Sequence, residues 1–565
     1  MKFLLVAVNA SFSHTCLAVR QLSAFTGIEF IEFTINQPVG EILRGIKELN
    51  PDVVLFSTYI WNGEIISKII PDIKKILPKA IIGAGGPEFG FAASIYLKKL
   101  PSLDFIMHGE GEKTLEEIQK KSDSLRKDSA ETLSSIKGVF YRDCENNIIF
   151  SGERELICDL SELPFAYPSL KSAYLNQTGI PLDLQNKIFY YESSRGCPFK
   201  CSYCMSSLDL RVRFMPLERV FEDLKIFLEQ KVPLVKFVDR TYNLDSQRYI
   251  AIWKFIKENH NGITMFHFEI EAEFLSEEAL DFLQTVPSGI MQFEIGVQSS
   301  NKQTLKAINR SDNIEKLAEN IKRLPSTIHQ HLDLIAGLPY ENLESFGKSF
   351  DFVMALKPDA LQLGFLKVLH GTIMEKYAKE NGWKWMENPV YETFSTPYMS
   401  YEDMTFLKDL EVCVDAYWNS GVFVNLMKYI GRKMSFWSFF YALTKESQKK
   451  QVFTAARRES FWFSLIFQFI NEDLFPALNK SVMIDLLRYD FVKRGKQGNF
   501  PEWYNHRYDK ERHRILLDEK EGINNARIGF AFSEYECFDY DVTAEEPELQ
   551  KMNYELLLQY PKRLK

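Results

Sequence analysis

The sequence of 565 residues has no hydrophobic run long enough to cross a membrane. Residues 461–470 are mostly apolar, but this stretch is about half as long as the ~20 residues that a transmembrane helix needs. Residues 1–8 hold one charged side chain and a short apolar segment, which predicts a first β-strand and argues against a signal peptide. We therefore expect a cytoplasmic protein without a membrane span.

An excess of positive charge is also missing. Lys and Arg number 68 against 76 Asp and Glu, and the resulting net charge of −8 argues against a nucleic-acid partner. A hydrophobic content of 45% and a charged content of 25% are typical of a globular protein. A chain of this length predicts roughly three or four domains.

Cysteine is too scarce for a disulfide-stabilised scaffold, since the chain has only eight. Five are scattered singly, and we expect each to be a small buried hydrophobic residue. These five are Cys16, Cys144, Cys158, Cys413 and Cys537. The other three, Cys197, Cys201 and Cys204, have the spacing C-x3-C-x2-C. No further group of cysteines is present in the sequence, so we expect no second cluster.

The clustered cysteines follow an aromatic run at residues 188–191 that predicts a buried strand. In α/β folds, ligands bind to loops at the carboxyl ends of strands. Three thiolates on one such loop suit an iron–sulfur cluster, because soft sulfur ligands hold these clusters. A 4Fe-4S cluster with three protein ligands has one open iron. The alternatives are a zinc site or a chance grouping.

The first part of the chain, residues 1–135, alternates apolar strands with amphipathic helices. This pattern predicts a doubly wound (flavodoxin-like) α/β domain with a parallel sheet and a ligand at the strand ends. Gly83 to Glu88 begins like a dinucleotide fingerprint, but Glu88 occupies the third glycine position. Residues 136–185 predict a hairpin and an ordered Leu-Pro connector.

Residues 186–390 contain six strand–helix units, which predict a partial (β/α)6 barrel. Residues 391–565 predict a mainly α-helical extension. Its apolar run at 461–470 is either a buried core helix or part of an aromatic lid over the barrel.

The cysteine loop and the strands after it resemble the radical S-adenosylmethionine (SAM) superfamily. In that superfamily the open iron binds SAM, and one-electron reduction cleaves SAM to a 5′-deoxyadenosyl radical. The resemblance implies that Cys197, Cys201 and Cys204 hold the cluster and that polar strand ends contact SAM. The implied SAM contacts are Tyr203, Asp239, Glu269, Glu294, Gln298, Ile335 and Gly337. Glu271 is an alternative to Glu269, and Arg240 and Tyr242 are candidates for facing the substrate.

The first domain resembles the cobalamin (B12)-binding domain of one class of radical SAM enzymes. Four strand-to-helix loops carry this likeness and imply the cobalamin contacts. They are Asn9, Ser11, Ser57, Thr58, Tyr59, Gly85, Gly86, Pro87, Glu88, Gly109 and Glu110. The D-x-H-x-x-G motif of other cobalamin domains is absent from this sequence, so we expect no histidine on cobalt. The last third resembles an uncharacterised extension (DUF4080-like) of some cobalamin radical SAM proteins.

These resemblances imply a cobalamin-dependent radical SAM enzyme that methylates an unactivated carbon. One alternative is a cyclisation, rearrangement or oxidation without methyl transfer, and another is a non-catalytic corrinoid or cluster carrier. Methylthio transfer is disfavoured, because that family uses N-terminal cluster cysteines that this sequence lacks. We expect an external electron donor, such as flavodoxin or ferredoxin, and a substrate that is a small molecule, peptide or lipid.

Overall fold

A computed structural model describes residues 1–495, 500–521, 533–547 and 551–560. The chain divides into two compact units. The first comprises Met1–Glu341 and Phe365–Tyr398, and the second comprises Asn342–Gly364 and Met399–Lys565. In the described ranges, no helix is long and apolar enough to span a bilayer.

A parallel sheet begins the first unit, in the order β2-β1-β3-β4-β5. Its strands are β1 (Phe3–Asn9), β2 (Glu29–Thr34), β3 (Val53–Ser57), β4 (Ile81–Gly85) and β5 (Phe105–Met107). The helices are α1 (Leu17–Thr26), α2 (Val39–Leu49), α3 (Gly63–Ile76), α4 (Pro87–Phe91), α5 (Ala93–Lys99), α6 (Glu112–Lys120), α7 (Ser122–Lys127) and α8 (Ser129–Ser134). Separate hydrophobic cores lie on the two faces of the sheet, which confirms the doubly wound, flavodoxin-like prediction.

The predicted hairpin forms strands β6 (Val139–Arg142) and β7 (Ile148–Phe150). These strands join the edge of the first sheet in antiparallel pairing beside β5. The hairpin is therefore part of the first sheet and not only a connector. After it come α9 (Pro168–Leu175) and the second sheet.

The second sheet has six strands in the order β15-β14-β13-β12-β11-β8. They are β8 (Phe189–Tyr191), β11 (Leu234–Phe237), β12 (Met265–Ile270), β13 (Met291–Gln298), β14 (His329–Ala336) and β15 (Ala360–Phe365). Short strands β9 (Ser194–Arg195) and β10 (Arg213–Phe214) pair with each other, as do β16 (Lys384–Trp385) and β17 (Thr393–Ser395). The helices are α10 (Leu217–Glu229), α11 (Ser246–Glu258), α12 (Glu277–Leu283), α13 (Lys302–Ala307), α14 (Ile314–Arg323), α15 (Leu343–Met354) and α16 (Ile373–Glu380). This confirms the partial (β/α)6 barrel.

The two faces of this second sheet differ in chemistry. Phe189 and Phe293 lie on the outer face, where they pack against aromatic side chains of α10 and α11. The inner face is polar and half-buried, unlike the branched apolar filling of most barrels. Its polar residues include Tyr190, Lys236, His267, Glu269, Gln292, Glu294, Gln298, His331 and Asp333. The barrel interior is therefore hydrophilic.

The second unit is mainly helical, as predicted. Its further helices are α17 (Tyr401–Val414), α18 (Val424–Lys433), α19 (Phe436–Lys449), α20 (Glu459–Asn471), α21 (Lys480–Lys493) and α22 (Lys510–Glu521). The apolar run lies in α20, where Phe463 packs against Phe423 and Phe491, so it is a core helix of this unit. The second unit also contains an antiparallel hairpin that was not predicted from the sequence, formed by β18 (Ser533–Tyr540) and β19 (Lys551–Gln559).

The scattered cysteines are only partly as predicted. Cys16 and Cys413 are buried, whereas Cys144 and Cys158 are exposed and Cys537 is half-buried. The prediction was wrong for these last three: Cys144 lies in the turn between β6 and β7, Cys158 lies in a bend of the connector, and Cys537 lies on β18 of the last hairpin.

Candidate active site

The cysteine loop follows β8 and is held by close backbone packing. Gly196 has a φ of 90°, and a Cβ there would lie 2.1 Å from the carbonyl oxygen of Arg211. Only glycine fits this position without moving the backbone. The amide of Cys197 then donates to the carbonyl of Asp209 at 2.9 Å. The chain on either side of the first cysteine is therefore tightly constrained.

Three further hydrogen bonds attach the loop to the barrel. The amide of Ser202 donates to the carbonyl of Ile308 at 3.0 Å, and the Ser202 carbonyl accepts from the amide of Met374 at 2.8 Å. The side chain of Asn309 donates to the carbonyl of Lys200 at 3.2 Å. These contacts hold the loop beside the helices that follow β13 and β15.

The donor set of the loop fits an iron–sulfur cluster. Burial raises the pKa of the Cys201 thiol, and the charge of Arg310 opposes this effect. Within the described ranges, no group of three or more His, Cys, Asp or Glu side chains is placed to hold a metal ion. Three soft thiolates on one short loop are the ligand type that holds an iron–sulfur cluster.

Asp239 supports the strand that leads into the cysteines. Its buried carboxylate accepts hydrogen bonds from the amide of Ser193 at 3.0 Å, the Ser193 hydroxyl at 2.7 Å and the Ser194 hydroxyl at 2.5 Å. Burial raises the pKa of Asp239 to about 6 despite these bonds. The carboxylate thus positions Ser193 and Ser194, and its contact with SAM stays a prediction.

Glu294 lies in the middle of β13 and not at the end of the strand, where the sequence analysis placed it. Its carboxylate accepts hydrogen bonds from His267 at 2.8 Å and Lys236 at 3.0 Å. Burial opposes ionisation, but these partners lower the pKa of Glu294 to about 2. Glu269 lies 3.7 Å from the same lysine. This ionic network lies inside the barrel.

Arg310 was missed as a candidate SAM contact. Its guanidinium pairs with Glu271 and donates to the carbonyl of Gly296 at 2.8 Å. Of the two alternative glutamates, Glu271 is therefore bound to Arg310, whereas Glu269 faces the barrel interior. Burial raises the pKa of Cys201 and Tyr203, and the nearby positive charge of Arg310 opposes this rise in both. Arg310 thus places a positive charge beside the cysteine loop.

Two buried polar atoms, one at the end of β13 and one within β14, have no protein partner. They are Oε1 of Gln298 and Oδ1 of Asp333. Gln298 has a φ of 67° and folds over Gly296, where an added Cβ would lie 2.2 Å from its Nε2. Burial, together with Glu294 and Glu269, raises the pKa of Asp333 to about 8. Buried polar groups are rarely left unpaired, so these atoms are suited to meet a ligand.

Asp333 was also missed by the sequence analysis. A polar side chain within the otherwise apolar segment at 332–336 was the available signal. Among the predicted SAM contacts, Tyr203 and Ile335 pack against one hydrophobic cluster beside the loop. The Gly337 carbonyl accepts a hydrogen bond from Trp383 at 3.2 Å.

The two candidates for facing the substrate lie in different environments. Tyr242 is buried among Phe237, Phe268 and Trp253, on the helix-facing side of the sheet. It therefore belongs to the aromatic core, and the expectation that it faces the substrate does not fit. Arg240 is exposed.

Most predicted cobalamin contacts lie on loops at one edge of the first sheet, as expected. The hydroxyl and amide of Thr58 both donate to the carbonyl of Gly85 at 2.8 Å. Gly86 packs so closely that a Cβ would lie 2.4 Å from the Thr58 carbonyl oxygen. A Cβ on Gly109 would instead meet no atom within 4 Å. Glycines on open loops let a flat macrocycle approach the backbone, so this edge fits a corrinoid.

The remaining predicted side chains at this edge contact neighbouring protein groups. Asn9 donates to the carbonyl of His14 at 3.0 Å, and the hydroxyls of Ser11 and Ser13 lie 3.0 Å apart. Ser57 lies near Cys16, Tyr59 stacks on Trp61, and Pro87 begins α4.

Two predicted cobalamin contacts are engaged elsewhere. The buried carboxylate of Glu88 accepts hydrogen bonds from the hydroxyls of Tyr96 at 2.5 Å and Tyr391. The carboxylate of Glu110 accepts from Arg213 and from the amide of Ile157, both at 2.8 Å. These carboxylates join the first sheet to later parts of the chain, and their contact with a corrinoid stays a prediction.

Three family models match this chain. The B12 binding domain matches residues 5–119, and the radical SAM superfamily matches residues 191–353. A protein family of unknown function, DUF4080, matches residues 379–557. The chain therefore combines an N-terminal B12-binding domain, a radical SAM domain and a C-terminal DUF4080 region, and its relatives include cobalamin-dependent radical SAM proteins. Its cofactors are a 4Fe-4S cluster, SAM and cobalamin.

Curated relatives are distant. An uncharacterised methyltransferase of Pyrococcus horikoshii is 26% identical over 60% of this chain and 72% of its own length. The cobalamin-dependent radical SAM methyltransferase TokK of Streptomyces tokunonensis is 25% identical over 55% of this chain and 45% of its own length. An anaerobic magnesium-protoporphyrin IX monomethyl ester cyclase of Cereibacter sphaeroides is 22% identical over 61% of this chain and 56% of its own length. The match thus spans about half of the latter two relatives.

Solved structures share the fold. The methyltransferase TsrM of Kitasatospora setae, with cobalamin and a 4Fe-4S cluster bound, aligns with a TM-score of 0.55 and 16% identity, over 69% of this chain and 78% of that one. The cobalamin-dependent radical enzyme OxsB, with aqua-cobalamin and SAM bound, aligns with a TM-score of 0.55 and 14% identity, over 87% and 79%. These likenesses concern the fold.

Proposed function

We propose that this cobalamin-dependent radical SAM enzyme is a methyltransferase that acts on an unactivated carbon. The observation that carries the proposal is that one compact unit holds the corrinoid domain, the cysteine loop and a barrel in which Oε1 of Gln298 and Oδ1 of Asp333 have no protein partner. Three of the relatives are named as methyltransferases, which supports methyl transfer.

The residues present define the roles of the site. Cys197, Cys201 and Cys204 would hold the cluster. The Gln298 amide and the protonated Asp333 carboxyl would bind polar groups of SAM, and Arg310 would face its carboxylate. The cofactors supply SAM cleavage and a methyl group. The net reaction consumes two SAM molecules and two electrons and yields methionine, 5′-deoxyadenosine, S-adenosylhomocysteine and the methylated product.

The part of the substrate that enters the barrel should be polar. Lys236, His267 and Glu294 form a charged network inside the barrel. A hydrocarbon chain would desolvate these charges without replacing their hydrogen bonds to water, which is unfavourable. We therefore favour a hydrophilic small molecule or peptide over a lipid. The electron donor, flavodoxin or ferredoxin, stays a proposal.

The relation to the cyclase relative supports a second candidate, an oxidative cyclisation without methyl transfer. Product mass separates the two functions, because methylation adds one CH2 group. The yield of S-adenosylhomocysteine also separates them, because it forms only when a methyl group leaves SAM.

The test uses anaerobic full-length protein, reconstituted with iron and sulfide and supplied with cobalamin, SAM and a strong reductant. Mass spectrometry quantifies 5′-deoxyadenosine and S-adenosylhomocysteine. Cys201→Ala should abolish deoxyadenosine formation, whereas Cys144→Ala, at an exposed cysteine outside the loop, should leave it unchanged. Both products in the wild type support methyl transfer. Deoxyadenosine without S-adenosylhomocysteine, in the presence of a substrate that is consumed, would favour cyclisation.

A further inference from the structure

Arg195, two residues before the first cysteine, is surrounded by three carboxylates. Its Nη2 donates to Glu112 at 2.7 Å, its Nη1 lies 3.2 Å from Glu110, and its Nε donates to Glu192 at 2.7 Å. The side chain is only 13% exposed. A planar guanidinium bound on three sides has one well-defined position.

Two of these carboxylates belong to the corrinoid domain. Glu110 lies on the loop between β5 and α6, and Glu112 is the first residue of α6, so both are at the ligand-facing edge of the first sheet. Gly109, on the same loop, has open space above it. A corrinoid at this edge would therefore lie against the loop that holds Arg195.

A second arginine strengthens the connection. Arg213 pairs with Arg195 across β9 and β10, and its guanidinium donates to Glu110 at 2.8 Å and to Asp209 at 2.9 Å. The carbonyl of Asp209 in turn accepts the amide of Cys197. Both arginines thus connect one corrinoid-domain loop to the first cysteine.

The segment between Arg195 and the barrel has little freedom to absorb a displacement. Asp239 holds Ser193 and Ser194, and Arg248 donates to the carbonyl of Ser193 at 3.0 Å. A shift of the loop that carries Glu110 therefore has to move Cys197 or break the ion pairs. Energetic coupling between two sites is carried by contiguous networks of ion pairs and hydrogen bonds of this kind.

We propose that Arg195 is a positioning residue that couples corrinoid binding in the first domain to cluster binding on the cysteine loop. The proposal rests on the assignment of both cofactors. Coupling between two binding sites is reciprocal. The cluster should therefore raise the affinity for the corrinoid by the same factor as the corrinoid raises the affinity for the cluster. Typical coupling changes affinity by about 5- to 150-fold.

The experiment measures the Kd of hydroxocobalamin for the full-length protein with and without the reconstituted cluster. The ratio of the two values should be at least about fivefold in the wild type. Arg195→Lys keeps the charge but loses the planar fork, so the ratio should fall toward one. Arg211→Lys is the matched control, since this exposed side chain lies on the same loop outside the network, and its ratio should equal that of the wild type.

Glu112→Gln keeps the shape of the site and removes one ion pair, so it tests the same contact if Arg195→Lys does not fold. Equal Kd values with and without the cluster in the wild type would overturn the coupling. An unchanged ratio in both variants would show that these side chains only stabilise the fold, and would overturn the role of Arg195. A complete lack of corrinoid binding in every form would instead refute the cobalamin assignment on which the proposal rests.

Discussion

Gly196→Ala should damage the cluster site without a direct change to any ligand. An alanine at a φ of 90° is strained by about 1–3 kcal/mol. Its Cβ would also lie 2.1 Å from a backbone oxygen, that of Arg211, which cannot rotate away as a side chain would. Moving this backbone breaks the hydrogen bond from Cys197 to Asp209, worth about 1 kcal/mol. A combined penalty of about 3 kcal/mol weakens cluster binding roughly 100-fold.

The assay measures iron and sulfide content and the visible absorbance of the cluster after anaerobic reconstitution at limiting iron. Gly27→Ala is the matched control, because Gly27 has a φ of 72° but an added Cβ there meets nothing within 4 Å. The control suffers the backbone strain without the clash, and it lies far from the cysteines in sequence. It should take up iron like the wild type. Full iron uptake by Gly196→Ala, with the wild-type melting temperature, would refute the reasoning.

Three further predictions address other parts of the chain. Gly296→Ala should displace the flexible Gln298 side chain, because an added Cβ would lie 2.2 Å from its Nε2. The loss of about one charge-assisted hydrogen bond should weaken SAM binding about tenfold without a change in melting temperature. An unchanged affinity for SAM, measured by equilibrium dialysis, would contradict this. The pKa of Asp333 is about 8 in the folded protein and 3.8 in the unfolded chain. The contribution of this group to stability is therefore fully present below pH 3.8 and is lost as the pH rises through about 8. The wild type should therefore lose stability relative to Asp333→Asn between these pH values, and parallel pH profiles of thermal unfolding would contradict the assignment. Arg488→Met leaves two buried carboxylates without their arginine partner and should lower the free energy of unfolding, measured with denaturant, by about 3–5 kcal/mol. Arg432→Met removes an exposed ion pair and should lower it by at most about 1 kcal/mol. Equal losses of stability in the two variants would contradict the importance of burial.

The Arg488 network also shows why the C-terminal hairpin forms part of the second unit. Arg488, on α21, donates to Asp485 at 2.9 Å and to Glu536 on β18. Tyr504 donates to the other oxygen of Glu536 at 2.6 Å. These buried hydrogen bonds link α21 and Tyr504 to β18, so the hairpin packs against the helices through a polar core.

The sequence alone determined the fold class and the position of the cluster loop. Strand–helix alternation and the C-x3-C-x2-C spacing are local patterns, which can be recognised in the sequence without knowledge of the tertiary structure. The glycine-rich loops at the strand ends were also predictable, because the carboxyl ends of parallel strands meet at one edge. The partly alternating residues at 533–540 are a strand signal, but they are few and follow a long region with helical patterns, so the hairpin was not predicted.

Only the tertiary structure decided which partner each polar side chain meets. Glu88 binds Tyr391, 303 residues later in the chain, and Arg195 binds Glu112, 83 residues earlier. No local sequence pattern indicates contacts between residues so far apart in the chain. The carboxylates predicted at the corrinoid edge were therefore not expected to join distant segments, as they do in the structure. Arg310 and Asp333 became candidates for the same reason, since their surroundings form only when separate strands and loops come together. Sequence patterns thus indicate where a strand ends, whereas the packing of distant segments determines what its side chains contact.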